Sequence, residues 1–217
     1  GRRGKRVLLI DHAAKIGGKI LISGGGRCNF TNLGASPANY VSRNPHFAKS
    51  ALSRFQPADF IAMVEDHGIP YHEKKLGQLF CDESARAIIE LLERECSEAG
   101  AEFRLETKIL KVERESPDGD FLVTTESDVL RGHSLVVATG GLSIPKIGAT
   151  GIGYEIAKQF GHKLVPRAAA LDGFTFGDED ALRFRALSGV SVDCFVEAGG
   201  VRFRENILFT HSGMSGP

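Results

Sequence analysis

The sequence of 217 residues predicts an α/β fold in which parallel strands give way to β-rich chain in the C-terminal quarter. Three observations predict it. Arg6-Val-Leu-Leu-Ile-Asp11 is a continuous apolar run closed by an acid, the pattern of a strand buried on both faces. Ser134-Leu-Val-Val-Ala-Thr139 repeats that pattern and runs straight into Gly140-Gly141. From Leu164 onward the texture changes to alternating, β-rich segments without a clear helix, which places a domain boundary near residue 165.

The elements follow in order. Residues 12–45 carry many Gly, Ser and Asn and no lasting periodicity, so they predict a long functional loop around a strand-like core, Lys19-Ile-Leu-Ile-Ser23. Phe47 to Phe55 and Pro57 to His67 predict two helices, the second with Pro at its first position and Gly68 as its stop. Ser84 to Ala99 carries the best helical pattern. Ser84 is its N-cap, Ile88, Leu91, Leu92 and Cys96 form its apolar stripe, and Gly100 ends it. Phe103 to Arg114 and Asp120 to Ser127 predict a hairpin around Ser116-Pro-Asp-Gly119. Thr150 to Phe160 predicts a helix that Gly161 stops, and Val190 to Val196 and Val201 to Phe209 predict strands.

Composition excludes several classes. With 42% hydrophobic and 25% charged residues the chain buries a core rather than staying disordered. Lys plus Arg and Asp plus Glu are 27 each, a balance that argues against nucleic acid or an anionic membrane as the main partner. No apolar run approaches the roughly 18–20 residues that span a bilayer. Cys28, Cys81, Cys96 and Cys194 lie far apart with no C-x-x-C pair, which predicts reduced thiols in the cytoplasm and neither a disulfide framework nor a metal site.

Four segments are candidates for chemistry. Asp11, at the tip of a strand, suits the acid that accepts hydrogen bonds from a ribose, or else it caps the loop that follows. Ser23-Gly-Gly-Gly-Arg-Cys-Asn29 offers glycines that let backbone approach a flat or anionic ligand, with Arg27 as a planar cation; the alternative is a flexible linker. Val137-Ala-Thr-Gly-Gly141 ends a strand in small residues, which suits either a ligand lying on the sheet end or a tight turn. Gly148-Ala-Thr-Gly-Ile-Gly-Tyr154 opens a helix but follows no clean strand, so it fails as a dinucleotide fingerprint. The seven histidines are scattered without ligand spacing, and no residue stands out as a catalytic proton donor.

Together these pieces resemble the BaiN/RdsA-type (YhiN-like) FAD-dependent oxidoreductases. The most specific part is Lys15-Ile-Gly-Gly-Lys-Ile-Leu-Ile-Ser-Gly-Gly-Gly-Arg-Cys-Asn-Phe-Thr-Asn32. Gly77-Gln-Leu-Phe80, Ala138-Thr-Gly-Gly-Leu-Ser143, Gly148-Ala-Thr-Gly151 and Leu208-Phe-Thr-His-Ser-Gly-Met-Ser-Gly-Pro217 match in the same order. Departures are Asp11 in place of a more usual Glu, Ile16 and Gly18 where Pro and Arg are common, and Cys81 where Pro is common.

The resemblance implies an FAD-binding Rossmann-type domain over residues 1–164, incomplete here, and a β-rich inserted domain starting at 165–217. It implies cofactor contacts from Asp11, Lys19, Gly24, Gly25, Gly26, Arg27, Cys28, Asn29, Ile109, Thr139, Gly140 and Gly141, with Ile109 at the strand position whose backbone holds adenine. It further implies hydride transfer through the flavin, NAD(P)H as co-substrate and a small-molecule substrate. The alternatives are a flavin- or nucleotide-binding module without turnover and an inactive fragment. The chain lacks an initial Met and stops after a strand-like run, so a fragment that binds FAD weakly or not at all is the expectation.

Overall fold

The computed structural model describes residues 1–168 and 172–216; Pro217, the end of the last matched segment, lies outside them. The chain divides into two units, Gly1–His162 and Lys163–Pro217.

The first unit begins with β1 (Val7–Ile10), the apolar run read from the sequence, but Val7, Leu8 and Leu9 are each 39% exposed rather than buried on both faces, since among the described residues the strand lies in a sheet of two. The segment expected as a strand at Lys19–Ser23 is instead a helix, α1 (Gly18–Ile22). Gly17 at φ 77° opens the turn, and its carbonyl accepts the Leu21 N–H at 3.0 Å. A helical path brings Ile20 against the buried core, which pairing as a strand would not do. Gly17 has a second role: a Cβ there would lie 2.5 Å from Ile89. The glycines follow in a tight turn, and β2 (Asn29–Asn32) leads to α2 (Lys49–Arg54) and α3 (Pro57–Asp66). Pro57 starts α3 as expected, Asp59 accepts the Gln56 N–H at 2.6 Å, and Gly68 at φ 63° follows its end.

Next come β3 (Tyr71–Glu73), β4 (Gln78–Cys81) and α4 (Arg86–Glu98). The antiparallel order is β2-β4-β3. Helix α4 starts two residues later than Ser84, whose hydroxyl still accepts the Arg86 N–H at 3.2 Å. The core lies between this sheet and the two helices: Cys28, Val64, Cys81, Ala85, Ile88 and Leu91 are buried together. Phe30 meets Phe60 and Tyr71 edge-on at 5.9 and 5.5 Å.

Residues Phe103 to Arg114, expected as one strand, form two. β5 (Ala101–Arg104) pairs in parallel with β1, and β6 (Ile109–Arg114) belongs to another sheet. The break is Glu106 at φ 49°, where the chain turns across the end of β1. Strand β6 then forms the expected hairpin with β7 (Phe121–Thr125), and β8 (Val129–Gly132) completes the sheet. Ser134–Thr139, expected as a second buried parallel strand, pairs with no strand among the described residues. Val136 and Val137 are 83% and 44% exposed. An apolar run is a strand only where its backbone pairs with a neighbour, and this one makes no such pairing with the described strands. Helix α5 (Ile152–Gln159) covers the β6–β8 sheet through Phe160 against Phe121 and the Gln159 amide on the Val112 carbonyl.

The second unit holds β9 (Phe174–Thr175), β10 (Ser191–Ala198), β11 (Val201–Phe209) and β12 (Gly213–Ser215), in the order β10-β11-β12-β9. It also contains α6 (Asp178–Phe184), a helix not expected in this quarter. Three acids in its first turn complement the helix dipole, a signal too short for periodicity to register. Phe176, Phe184 and Phe209 pack one on another at 5.3 to 6.4 Å. No described helix is long and apolar enough to cross a membrane.

On the β6–β8 sheet Asp120 accepts hydrogen bonds from Arg131, at 2.7 Å, and from His133, and these hold its carboxyl below the usual range, Arg131 foremost. Because the folded value is depressed, this contribution to stability is present above the ordinary carboxylate range and fades as pH falls through the lowered value. Arg131→Gln is expected to raise the Asp120 titration midpoint in carbon-detected NMR. An unmoved midpoint would remove the guanidinium as its cause.

Candidate cofactor site

The site begins where β1 ends. The Asp11 N–H donates to the Arg104 carbonyl and the Asp11 carbonyl accepts from Thr107, both at 3.0 Å, while Glu106 N–H reaches the Ala13 carbonyl at 3.0 Å. The turn between β5 and β6 is therefore stitched across the tip of β1. Ile109 follows Thr107 by two residues, so the start of β6 lies beside Asp11. The Asp11 side chain is exposed, and its Oδ1 accepts the Ala13 N–H at 2.9 Å, the loop-capping role read as its alternative. Its Oδ2 has no hydrogen-bond partner among the described residues.

Two further segments converge there. Lys19, on the first turn of α1, donates from Nζ to the Ser143 hydroxyl at 2.5 Å, which ties α1 to the chain just after Gly140-Gly141. A Cβ on Gly148 would lie 2.9 Å from His12 Nε2, so this turn abuts the residue next to Asp11. Gly153 packs on the Thr139 hydroxyl, and a Cβ on Gly141 would come within 3.4 Å of the Tyr154 hydroxyl. The contacts link Lys19 to Ser143 just beyond Gly140-Gly141, Gly148 to the neighbour of Asp11, and Thr139 and Gly141 to the start of α5, and they bring in four residues outside the predicted set, His12, Ser143, Gly148 and Tyr154. Of these last four, His12 was counted among the scattered histidines. Its adjacency to Asp11 was the only sequence signal for it.

The remaining predicted residues occupy the other end of α1. Five residues at 1.5 Å each separate the two groups by roughly 8 Å along the helix. Gly24, Gly25 and Gly26 have φ of 57°, 67° and 88°, and Cys28 has φ 51°, so this turn depends on left-handed backbone. It is pinned to the core behind it: the Gly26 carbonyl accepts from Ala85 at 2.7 Å and the Arg27 carbonyl from Cys81 at 2.9 Å. A pinned turn is not a flexible linker.

Cys28 is buried, as is Cys81, whose thiol is pushed up to about 11, first by burial and then by Cys28 beside it. Cys81 is therefore a thiol at neutral pH, and both side chains pack in the core. Arg27 and Asn29 are exposed, and nothing lies within 4 Å of the position a Gly25 Cβ would take.

The donor types fit an adenine dinucleotide: a carboxylate with a free oxygen, glycine backbone open to close approach, and two exposed cations, Lys19 and Arg27. One pocket of the first unit, about 200 Å³ in volume, is lined by Gly68, Ile69, Pro70, Cys81, Glu83, Ser84 and Ala87, none of them predicted site residues. Among the described residues no group of three His, Cys, Asp or Glu could hold a metal ion.

Residues 1–210 match the family model described as HI0933-like protein Rossmann domain. Over 218 aligned residues the chain is 49% identical to a protein of Escherichia coli K12 named ribosomal RNA dihydrouridine synthase, covering 100% of this chain and 54% of that protein. A protein of the same name from Haemophilus influenzae is 49% identical, covering 99% of this chain and 54% of its own length. A 3-dehydro-bile acid delta(4,6)-reductase of Clostridium scindens is 25% identical over 76% of this chain and 40% of that protein. The chain spans about half the length of the first two relatives.

The two glycines with the clearest left-handed geometry separate fold from ligand access. A Cβ at Gly24 would lie 2.7 Å from the Phe80 ring and 2.8 Å from the Asn29 nitrogen, whereas at Gly25 it would meet open space. Gly24→Ala is expected to cost about 2–4 kcal/mol of stability from strain plus overpacking, and Gly25→Ala about 1 kcal/mol from backbone strain alone. Urea unfolding of both variants measures the difference; equal losses would contradict the packing described.

Proposed function

This chain belongs to the HI0933-like family of Rossmann-domain proteins, and on that premise we propose that it binds FAD and serves an oxidoreductase that reduces uridine in ribosomal RNA with NAD(P)H as electron donor. The observation that carries the reading is that Gly148 abuts His12, beside Asp11 at the end of β1, while Lys19 meets Ser143 just beyond Thr139–Gly141; the C-terminal strand end is where open α/β sheets bind ligands. The identity to proteins named for dihydrouridine synthesis supports the substrate.

In this reading Asp11 holds the adenosine ribose through its free carboxylate oxygen, with the start of β6 at Ile109 against the adenine. Lys19 and Arg27 face the pyrophosphate and flavin ends. The backbone from Gly24 to Gly26 approaches without a Cβ between it and the ring, and the turn at Gly140, φ 70°, clears the second approach. Bound FAD supplies two-electron transfer, and the chain orients and surrounds it. Reduction of a uracil ring adds a hydride and a proton across its C5–C6 double bond. Arg27 is placed to stabilise negative charge near the flavin. The free thiols Cys28, Cys81, Cys96 and Cys194 suit the reducing cytoplasm in which we place the protein.

The test uses the whole protein. It is expected to carry flavin absorption that NADH or NADPH bleaches in stopped flow, and to introduce two hydrogens into a uridine of unmodified ribosomal RNA, read by mass spectrometry. A colourless protein sinks the cofactor. Bleaching without RNA reduction sinks the substrate, and retained flavin without bleaching marks a binding module without turnover. Asp11→Ala is expected to weaken FAD binding by about 2 kcal/mol, roughly thirtyfold, the loss of hydrogen bonds to a charged group. Unchanged affinity by fluorescence titration would move the ribose elsewhere.

A further inference from the structure

Between Asp11 and Asp59 the sequence contains six Lys and Arg residues (Lys15, Lys19, Arg27, Arg43, Lys49, Arg54) and no acid, in a chain of zero net charge. The second half of this run is open to solvent. Tyr40, Val41 and Phe47 are 55%, 98% and 80% exposed. Single exposed rings are ordinary, but these alternate with cations: Tyr40, Arg43, His46, Phe47, Lys49, Arg54. Arg43, Lys49 and Arg54 have no acidic partner among the described residues. Five arginines elsewhere do: Arg2 pairs with Glu95, Arg94 with Glu98, Arg104 with Asp128, Arg131 with Asp120 and Arg204 with Asp193, while Arg3, Arg6, Arg86, Arg183, Arg185 and Arg202 are, like those of the segment, without one among the described residues.

The segment begins eight residues after β2, beyond a turn in which the Tyr40 N–H donates to the Pro37 carbonyl at 3.2 Å, and ends where Phe55 rests on Phe60 of α3, 6.4 Å away. Between these points Asn44 accepts the His46 N–H at 3.0 Å, and its own N–H reaches the Ser42 hydroxyl at 3.1 Å. The Phe47 N–H donates to the Asn44 carbonyl at 3.1 Å, while its ring stays exposed.

We propose that residues 40–55 are the seat of the single-stranded RNA that carries the substrate uridine. The rings of Phe47 and Tyr40 stack on unpaired bases, and Arg43, Lys49 and Arg54 take phosphates. This rests on the reading of an RNA substrate. Charge complementarity selects a polyanion, and the open rings select unpaired bases, since a duplex hides the faces on which stacking depends. A base to be reduced at C5–C6 must leave its stack in any case.

The experiment measures binding of a fluorescein-labelled oligouridylate of about 12 nucleotides to the whole protein by anisotropy across a salt series. Phe47→Ala is expected to weaken binding roughly tenfold. The triple variant Arg43→Gln, Lys49→Gln, Arg54→Gln is expected to flatten the slope of log affinity against log salt by about 2, at ~0.7 per lost phosphate contact on a single strand. Phe174→Ala, at a ring 76% exposed in the other unit, leaves both unchanged. Wild-type affinity and slope in both variants would overturn the proposal, as would a Phe47→Ala protein that melts earlier yet binds RNA unaltered. Flavin absorption of the same samples separates the two readings: variants that keep RNA affinity while wild type keeps bleachable flavin refute the RNA seat alone.

Discussion

The end of β1 is held by three backbone hydrogen bonds from the chain that crosses it, Asp11 to Arg104, Thr107 to Asp11 and Glu106 to Ala13. The crossing requires Glu106 to take a left-handed conformation, which an L-residue adopts only where surrounding bonds enforce it. These bonds give Asp11 a fixed place, bring the start of β6 beside it, and leave the exposed carboxylate one oxygen for a ligand. The Arg104 guanidinium adds a bond to Asp128 at 2.6 Å, which ties the same crossing to the β7–β8 turn. The rest of the site is arranged around this fixed point.

The glycine turn obeys a different constraint. It must turn left-handed at Gly24, Gly25 and Gly26 while presenting two carbonyls inward, to Ala85 and Cys81. Its inner side is thereby part of the core that Ile88, Leu91 and Val64 complete, and its outer side remains backbone. Burial of Cys28 within such a turn makes the thiol a packing group. That accounts for a cysteine among glycines without recourse to thiol chemistry.

Net charge is a poor guide where charge is segregated. Equal numbers of acids and bases argued for no nucleic-acid partner, yet acids are absent from residues 12–58 and concentrated elsewhere, on α4 and at the start of α6. An electrostatic field acts over a Debye length of about 8–10 Å, so a ligand meets the local sum. The segment that this view singles out lies between β2 and α3.

Much of the local structure was legible in the sequence. The strand at β1, though not its burial, the Pro57 start of α3, the stripe of α4 and the turn at Ser116–Gly119 all report short-range chemistry: backbone restriction, apolar period and turn propensity. The elements misread are those whose form depends on distant partners. Lys19–Ser23 is helical because Ile20 has a core to reach and Gly17 a side chain to admit. Ser134–Thr139 pairs with no described strand, although its apolar pattern is that of one. The family signature identified the types of residue that a dinucleotide needs, since glycine freedom and carboxylate charge are intrinsic to the residues. Tertiary structure alone decided what they meet: Lys19 with Ser143, His12 with Gly148 and Asp11 with Thr107 are neighbours across scores of residues. A local sequence carries no record of the distant backbone that brings its side chains together.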